Sequence, residues 1–318
     1  MNNAVFPLHL FPDNVRLLVI KNFDHLDLIF FSLLSRKSKA LVQSFNVKIE
    51  KLTVGDSFIE IESTVDGVGI VFSIYRGRAR ENLNVVSSYI LVEGVINERH
   101  VSFELQTPQL SFSQWFQHLR SLFKCENDKI IFGREHEIYD TVAFRNLLPQ
   151  WRSLEIQRGS HDYVRRILDV FCPCVKEIEA WSDINLQELP QKVSIQNLDR
   201  ISIGKAFTLD DALASNGVYI LPSKFTVSDV NRFLKSWIRG SNPRMRSAYI
   251  NIIGPGNREK MLKGITHKAT PVEMDLQWDG RVREGITIRS KKGIPATLIS
   301  DRIIYGNPYW TIQMSVGN

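Results

Sequence analysis

Apolar residues in the first part of the chain recur at helical spacing, and the pattern changes twice before the end. Beyond Pro12, whose fixed φ suits a first helical turn, Val15, Leu18 and Val19 fall at the i, i+3, i+4 spacing of one helical face. A break at Asn22, Phe23 and Asp24 precedes a second helix that Asp24 can cap. Leu26, Ile29, Phe30 and Leu33 share one side of it, Leu28 and Phe31 the other. Ser35 can cap a third helix through Arg36, Lys37 and Lys39, which returns Leu41 and Val42 to the apolar side. The stretch 6–42 is too short to bury a core alone, so helices that are apolar on more than one face imply a docking element. The remainder of the chain is what it docks.

From Val47 the period becomes alternating, through Val47, Ile49, Phe58, Ile59 and Ile61, then Val68, Ile70, Phe72 and Ile74 after a turn at Asp66-Gly67. Stretches 85–95 and 101–105 continue this β-meander, with turns near Gly94 and Asn97 and a close at Pro108. One face is packed and one is wet. Trp115, Phe116, Leu119, Leu122 and Phe123 then make a helical stripe with Ser113 as its cap, and His118 within it reads as a packed or surface side chain.

Beyond Cys125 short apolar strands alternate with amphipathic helices. A strand at 153–157 leads to a helix at 161–171, a strand at 175–180 follows, and 193–204 carries the next through Ile201 and Ile203. A helix at 210–214 after a Thr208 cap, a strand at 218–221, a helix carrying Val230, Phe233, Leu234 and Trp237, and a strand at 248–253 complete the series. The spacing of roughly 17 to 30 residues overlaps leucine-rich-repeat lengths without their regularity, and such units stack their strands in parallel with a right-handed crossover helix behind each. In the tail, strands at 274–283, 286–288, 296–299 and 310–314 are separated by Asp279-Gly280, Lys292-Gly293 and Gly306-Asn307-Pro308, as in a small antiparallel cap over the last open edge.

Composition narrows the function classes. The chain has 318 residues, 43% hydrophobic and 23% charged, which is the balance of a folded globular protein. No apolar run approaches the ~18 residues of a membrane span, and the start lacks the charged region of a signal peptide, so an intracellular location, cytoplasmic or nuclear, is expected. Three cysteines, Cys125, Cys172 and Cys174, do not combine with histidines at zinc-site spacing, and Cys172-Pro173-Cys174 reads as a helix end stopped by Pro173. The net charge of +6 is scattered, without the basic stripe that nucleic-acid binding needs. Gly254-Pro255-Gly256-Asn257 lacks the Gly-Lys-Ser/Thr continuation of a phosphate loop and reads as a turn. Glu135, Glu137 and Asp140 surround His136 with no nucleophile beside them. No metal, cofactor or enzymatic activity is expected.

The first forty-five residues resemble an F-box. Phe11-Pro12 stands where Leu-Pro is usual, Val15 and Leu18 match the first helix, Asp27-Leu28 the second, and Leu34-Ser35-Arg36-Lys37 the start of the third. Three further segments resemble the F-box-associated region of a nematode-expanded family of F-box proteins. They are Trp115, His118 and Leu119 of the helical stripe; the run Asn231, Phe233, Leu234, Lys235, Trp237 and Ile238; and Ile286 and Arg289 near the C-terminus. The fold expected is a mixed α+β / α/β one: a three-helix F-box at 1–45, a β-rich region ending in a helix at 46–125, and an F-box-associated, repeat-like domain at 126–318 with a short antiparallel C-terminal cap.

The resemblance implies the substrate-recognition subunit of a Skp-cullin-F-box ubiquitin ligase, non-catalytic itself and without cofactors. Its expected partners are a Skp-type adaptor, a cullin reached through that adaptor, and a target protein, with neither nucleic acid nor membrane. Candidate adaptor-binding residues are Phe11, Pro12, Val15, Leu18, Leu28 and Phe31; candidate target-binding residues are Arg244, Arg246 and Gly254. Asn231 reads as a structural tie to a neighbouring turn. The alternative is an interaction scaffold that no longer binds the adaptor.

Overall fold

The computed structural model describes residues 10–55, 57–63, 68–74, 83–84, 86, 89–96, 99–105, 110–133, 140–157, 159–180, 198–203, 213, 215–223, 225–254, 256–273, 282–305 and 307–317. The chain divides into two compact units, 1–129 with 138–147, and 130–137 with 148–318.

The first unit opens with helices α1 (Asp13–Ile20), α2 (His25–Leu33) and α3 (Arg36–Ser44). Asp24 and Ser35 cap α2 and α3, accepting hydrogen bonds from the Asp27 and Ser38 amides. Pro12 does not open the first turn of α1: with ψ at 150° it is the extended residue before it, where its missing N–H costs nothing. Strands β1 (Lys48–Val54), β2 (Phe58–Ser63), β3 (Val68–Ile74), β4 (Ile90–Ile96) and β5 (Arg99–Leu105) pair antiparallel in sequence order. Strict alternation of buried and partly exposed positions in β2 and β3 gives the meander one packed face. Gly94 is not a turn residue; it lies inside β4, where a β-carbon would collide with the Gly69 carbonyl on the neighbouring strand.

Helix α4 (Phe112–Leu122) covers that packed face with Trp115, Phe116, Leu119 and Leu122. Its cap is Ser111, two residues earlier than Ser113. Ser111 accepts from the Gln114 amide while the Gln114 side chain accepts from the Ser111 amide, a reciprocal pair that outcompetes Ser113. A strand that the charged run after Leu122 conceals, β6 (Lys124–Phe132), follows, its last residues belonging to the second unit, and α5 (Thr141–Arg145) returns to the first.

In the second unit β7 (Ser153–Ile156), β8 (Glu177–Ala180), β9 (Arg200–Ile203), β10 (Gly217–Ser223) and β11 (Ser247–Ile253) lie side by side in chain order, all parallel. Helix α6 (His161–Phe171) crosses from β7 to β8 and α7 (Val227–Arg239) from β10 to β11. Right-handed crossovers advancing in one direction put both helices on the same face. That face is apolar, carrying Leu154, Ile178, Ile201, Val218 and Ala248, all buried. A short helix α8 (Arg258–Leu262) leads to β12 (His267–Glu273), β13 (Val282–Arg289), β14 (Pro295–Tyr305) and β15 (Asn307–Val316), which pair antiparallel in order. The last strand, β15, docks antiparallel on β11, so β12 is the outer edge. The tail therefore begins a strand earlier than the alternation after Pro271 suggests, because β12 opens on His267, Lys268, Ala269 and Thr270 and has no apolar run over its seven residues. The stretch expected as a strand from 274, its Asp279-Gly280 turn, and nearly all of the helix expected at 210–214 lie outside the described residues.

Candidate functional site

Two surfaces are built from these elements, one in each unit. In the first unit, α2 turns His25, Leu26, Leu28, Ile29 and Ser32 inward. His25 stacks on Phe123 at 5.7 Å, and Phe30 meets Phe103 of β5 edge-on at 5.9 Å. The helices are therefore fixed to the meander and to α4. Leu18 of α1 is 64% exposed, Leu10 before it 72% and Leu34 after α2 75%. Of the residues expected at an adaptor surface, Pro12 and Leu18 are exposed, and Phe11, Val15 and Phe31 are half-buried, Phe31 edge-on to Phe23 at 5.8 Å. Leu28 is 5% exposed and is a core residue, because the inward arc of α2 includes it. Leu10, Leu17 and Leu34 are exposed apolar positions that spacing alone assigned to no surface.

His118 joins α4 to α2. The Ser32 hydroxyl donates to the Ile29 carbonyl, so at 2.8 Å it accepts from His118 Nε2–H, which fixes a neutral tautomer. Burial, with Lys39 nearby as a lesser cause, pushes the His118 ring down to about 4. The folded state thus binds its proton less readily than the unfolded chain does. The stability this lends is complete above pH ~6.5 and is lost as the pH falls towards 4. We expect acidification from about pH 7.5 to about pH 5 to remove roughly 1 kcal/mol through this group, after discounting for its partial exposure. A His118→Gln variant, able to donate to Ser32 without titrating, should show a smaller drop in melting temperature over that range, and an equal drop would refute the assignment.

The second surface is the polar face of the sheet in the second unit, opposite the apolar face that carries Leu154, Ile178, Ile201, Val218 and Ala248. Glu155, Glu179, Ser202, Tyr219, Tyr249 and Gln313 form one row across β7, β8, β9, β10, β11 and β15, each opposite the next in register. The rings of Tyr219 and Tyr249 stack 4.6 Å apart at 5°, and the Arg200 guanidinium lies 5.8 Å from the Tyr219 centroid. Burial, then the neighbouring Tyr249, raises the Tyr219 phenol above its ordinary value. Two residues further along β11, Thr311 donates to Asn251 Oδ1 at 2.7 Å, and Asn251 donates to the Ile220 carbonyl at 3.2 Å, which holds β10, β11 and β15 together.

The residues expected at a target surface are not gathered into one patch. Arg244 and Arg246 are exposed before β11, and Gly254, with φ of 109°, follows its other end. A strand of that length separates them by about 25 Å. Gly254 turns the chain, Gly256 packs beneath the Trp310 ring, and Asn257 caps α8 through the Lys260 amide. Pro255 lies outside the described residues, as do Glu135, His136 and Glu137, while Asp140 caps α5. Asn231 is a tie: its amide donates to the Met261 carbonyl at 2.6 Å and the Lys263 carbonyl at 3.0 Å. Cys172 and Cys174 are buried in a single 3₁₀ turn, where burial pushes the Cys172 thiol up to about 12 and that of Cys125 up to about 11. Neither is a nucleophile at neutral pH. Among the described residues no group of His, Cys, Asp and Glu has the arrangement of a metal site, and no helix is long and apolar enough to cross a membrane.

The molecule is thus a mixed α/β protein in which an N-terminal helical segment with exposed leucines precedes a sheet unit with a polar and aromatic face. Residues 8–50 match the F-box domain family, and residues 189–250 match the F-box associated family, a span that includes β9, β10 and α7 and reaches into β11. The chain is similar to the F-box associated domain-containing protein sdz-33 of Caenorhabditis elegans, 27% identical over 154 residues. That similarity covers 46% of this chain and 47% of the relative, so the chain spans about half the length of the curated relative it matches. No solved structure matches. The chain thus carries one match to an F-box domain and, further along, one to an F-box associated region. The run from Asn231 to Ile238 lies inside the second match; the segments at Trp115 and Ile286 lie outside both.

Proposed function

We propose that this chain is a substrate-recognition subunit of a Skp-cullin-F-box ubiquitin ligase. Its N-terminal helices bind a Skp-type adaptor, and through it a cullin, while its second unit holds a target protein. Ubiquitin transfer is then catalysed by proximity, with no bond-making residue supplied by this chain. The reading is carried by exposure: within the residues that match the F-box, Leu10, Leu18 and Leu34 are largely exposed although α2 buries Leu26, Leu28 and Ile29. Apolar side chains left outside a completed core are what a partner groove takes up. The parallel strands with helices behind them act, in this reading, as a leucine-rich-repeat-like platform for the target.

The test is association of the purified chain with a Skp-type adaptor. Leu18→Asp, at an exposed position, should weaken binding about tenfold or more while leaving the melting temperature unchanged. Leu28→Ala should act differently, lowering stability by about 2–4 kcal/mol because it opens a cavity. No association of the unaltered chain with the adaptor would overturn the proposal in favour of an interaction scaffold.

A further inference from the structure

The fold concentrates positive charge that looks scattered along the sequence. Residues 230–270 hold nine lysines and arginines against one glutamate, which exceeds the net +6 of the whole chain. Three contacts gather part of this charge around the second half of α7. The Lys291 amide donates to the Ile238 carbonyl at 2.8 Å, so the turn between β13 and β14 sits on the last turn of the helix. Asn231 donates to the Lys263 carbonyl, and a β-carbon on Gly264 would lie 3.3 Å from Lys235 Nζ, so the turn from α8 to β12 runs along the same helix. Arg239, Lys263, Lys291 and Lys292 are exposed, and Lys235 is half-buried. Arg246, expected at a target surface, precedes β11 at the same end of the sheet, because β11 opens where β13 closes. Three strand spacings, about 15 Å, separate it from that turn.

The cluster has no counter-charge of its own. Among the described residues none of Lys235, Arg239, Lys263, Lys291 and Lys292 forms an ion pair. Asp229 is engaged by Thr226 and Arg232 at the other end of α7, and Glu259, four residues before Lys263, makes no ion pair with it. Lys235 and Arg239 are like charges at i, i+4, which weakens the helix that carries them. The helix end does not supply the missing negative charge, because the Ser236, Trp237 and Ile238 carbonyls already accept from the Ser241, Gly240 and Lys291 amides. Ile238 and Ile294, one on α7 and one beside Lys291, are half-buried and give the patch an apolar spot. A phosphate backbone has no use for such a spot, and the aromatic rings of α7, Phe233 and Trp237, are buried where no base can stack on them.

We propose that this end of the second unit binds an acidic peptide segment. Its carboxylates lie against Arg239, Lys263, Lys291 and Lys292, with an apolar side chain between them on Ile238 and Ile294. Only the description of the segment as part of a ligase target rests on the function proposed above; the binding chemistry stands on the basic cluster.

The experiment titrates the full chain into fluorescein-labelled peptides and reads anisotropy. One peptide carries a leucine flanked by glutamates, a second has glutamine in place of each glutamate, and a third has lysine there. The glutamate peptide should bind about tenfold or more tighter than the glutamine peptide at low salt, with the difference shrinking as salt rises. Lys291→Glu with Lys292→Glu, in an exposed turn, should remove that preference and leave the melting temperature unchanged. Lys48→Glu with Lys124→Glu, the same change of charge on exposed residues of the first unit, should keep it. Equal binding of the glutamate and glutamine peptides overturns the proposal, as does equal loss in the two double variants. Tighter binding to a labelled DNA duplex or to vesicles of phosphatidylserine and phosphatidylcholine than to the glutamate peptide also overturns it. Adaptor binding is measured in parallel: a chain that binds the glutamate peptide and ignores the adaptor refutes the ligase reading and supports the surface, and the reverse result refutes the surface alone.

Discussion

Replacing Trp115 by alanine is expected to lower the unfolding free energy of the first unit by about 3–5 kcal/mol, read from urea titration of the full chain. The indole is fully buried in α4 and stacks on Phe72 of β3 with 6.1 Å between ring centroids. Ile61, Ile70 and Val92 of adjacent strands are also fully buried, and their backbones are held by the antiparallel ladders. The site therefore cannot collapse to fill the space. His118 lies one turn along the same helix, 6.2 Å from the indole, so loosening α4 also loosens its hydrogen bond to Ser32. Trp115→Phe should cost much less, since it keeps most of the ring contact and removes an indole N–H with no hydrogen-bond partner among the described residues. A loss under about 1 kcal/mol for the alanine variant would show that the ring does not carry the packing of this face.

The helices were legible because caps and spacing are local. Asp24 before α2, Ser35 before α3 and the stripe of Val230, Phe233, Leu234 and Trp237 in α7 need only neighbours within a turn or two, and the structure keeps all of them. Ser113 was misleading because two hydroxyls stood within reach of the same helix start, and only Ser111 has Gln114 three residues on. Strand boundaries were less legible. Gly94 looks like a turn residue, yet its reason for being glycine is a backbone on another strand, and no local pattern records that.

The same limit governs the surfaces. Spacing places Leu28 on an apolar side of α2 but does not say which side the meander covers, and the structure buries it. The central row of the sheet face draws Glu155, Glu179, Ser202, Tyr219, Tyr249 and Gln313 from six strands, up to 158 positions apart in the sequence. Each is merely the polar alternate of its own strand. Their alignment depends on a parallel register set by crossovers, and a single chain carries no signal for it beyond the repeated polar position itself.

Trp237→Ala is expected to destabilise the second unit by about 3–5 kcal/mol, while the N-terminal helices keep their exposed leucines for the adaptor. Trp237 is buried on α7 beside Phe233 and Leu234, on the face that covers the parallel strands. Asn231, six residues earlier, ties the first half of the same helix to the carbonyls that end α8. Asn231→Ala removes two donors and should cost about 1–3 kcal/mol; Asn231→Asp should cost more, since a carboxylate would face those carbonyls. Adaptor binding is the discriminating measurement, because residues 8–50 and α7 belong to different units. If Trp237→Ala leaves the second unit as stable as before, or if adaptor binding is lost together with that stability, α7 is not the independent support of the parallel strands.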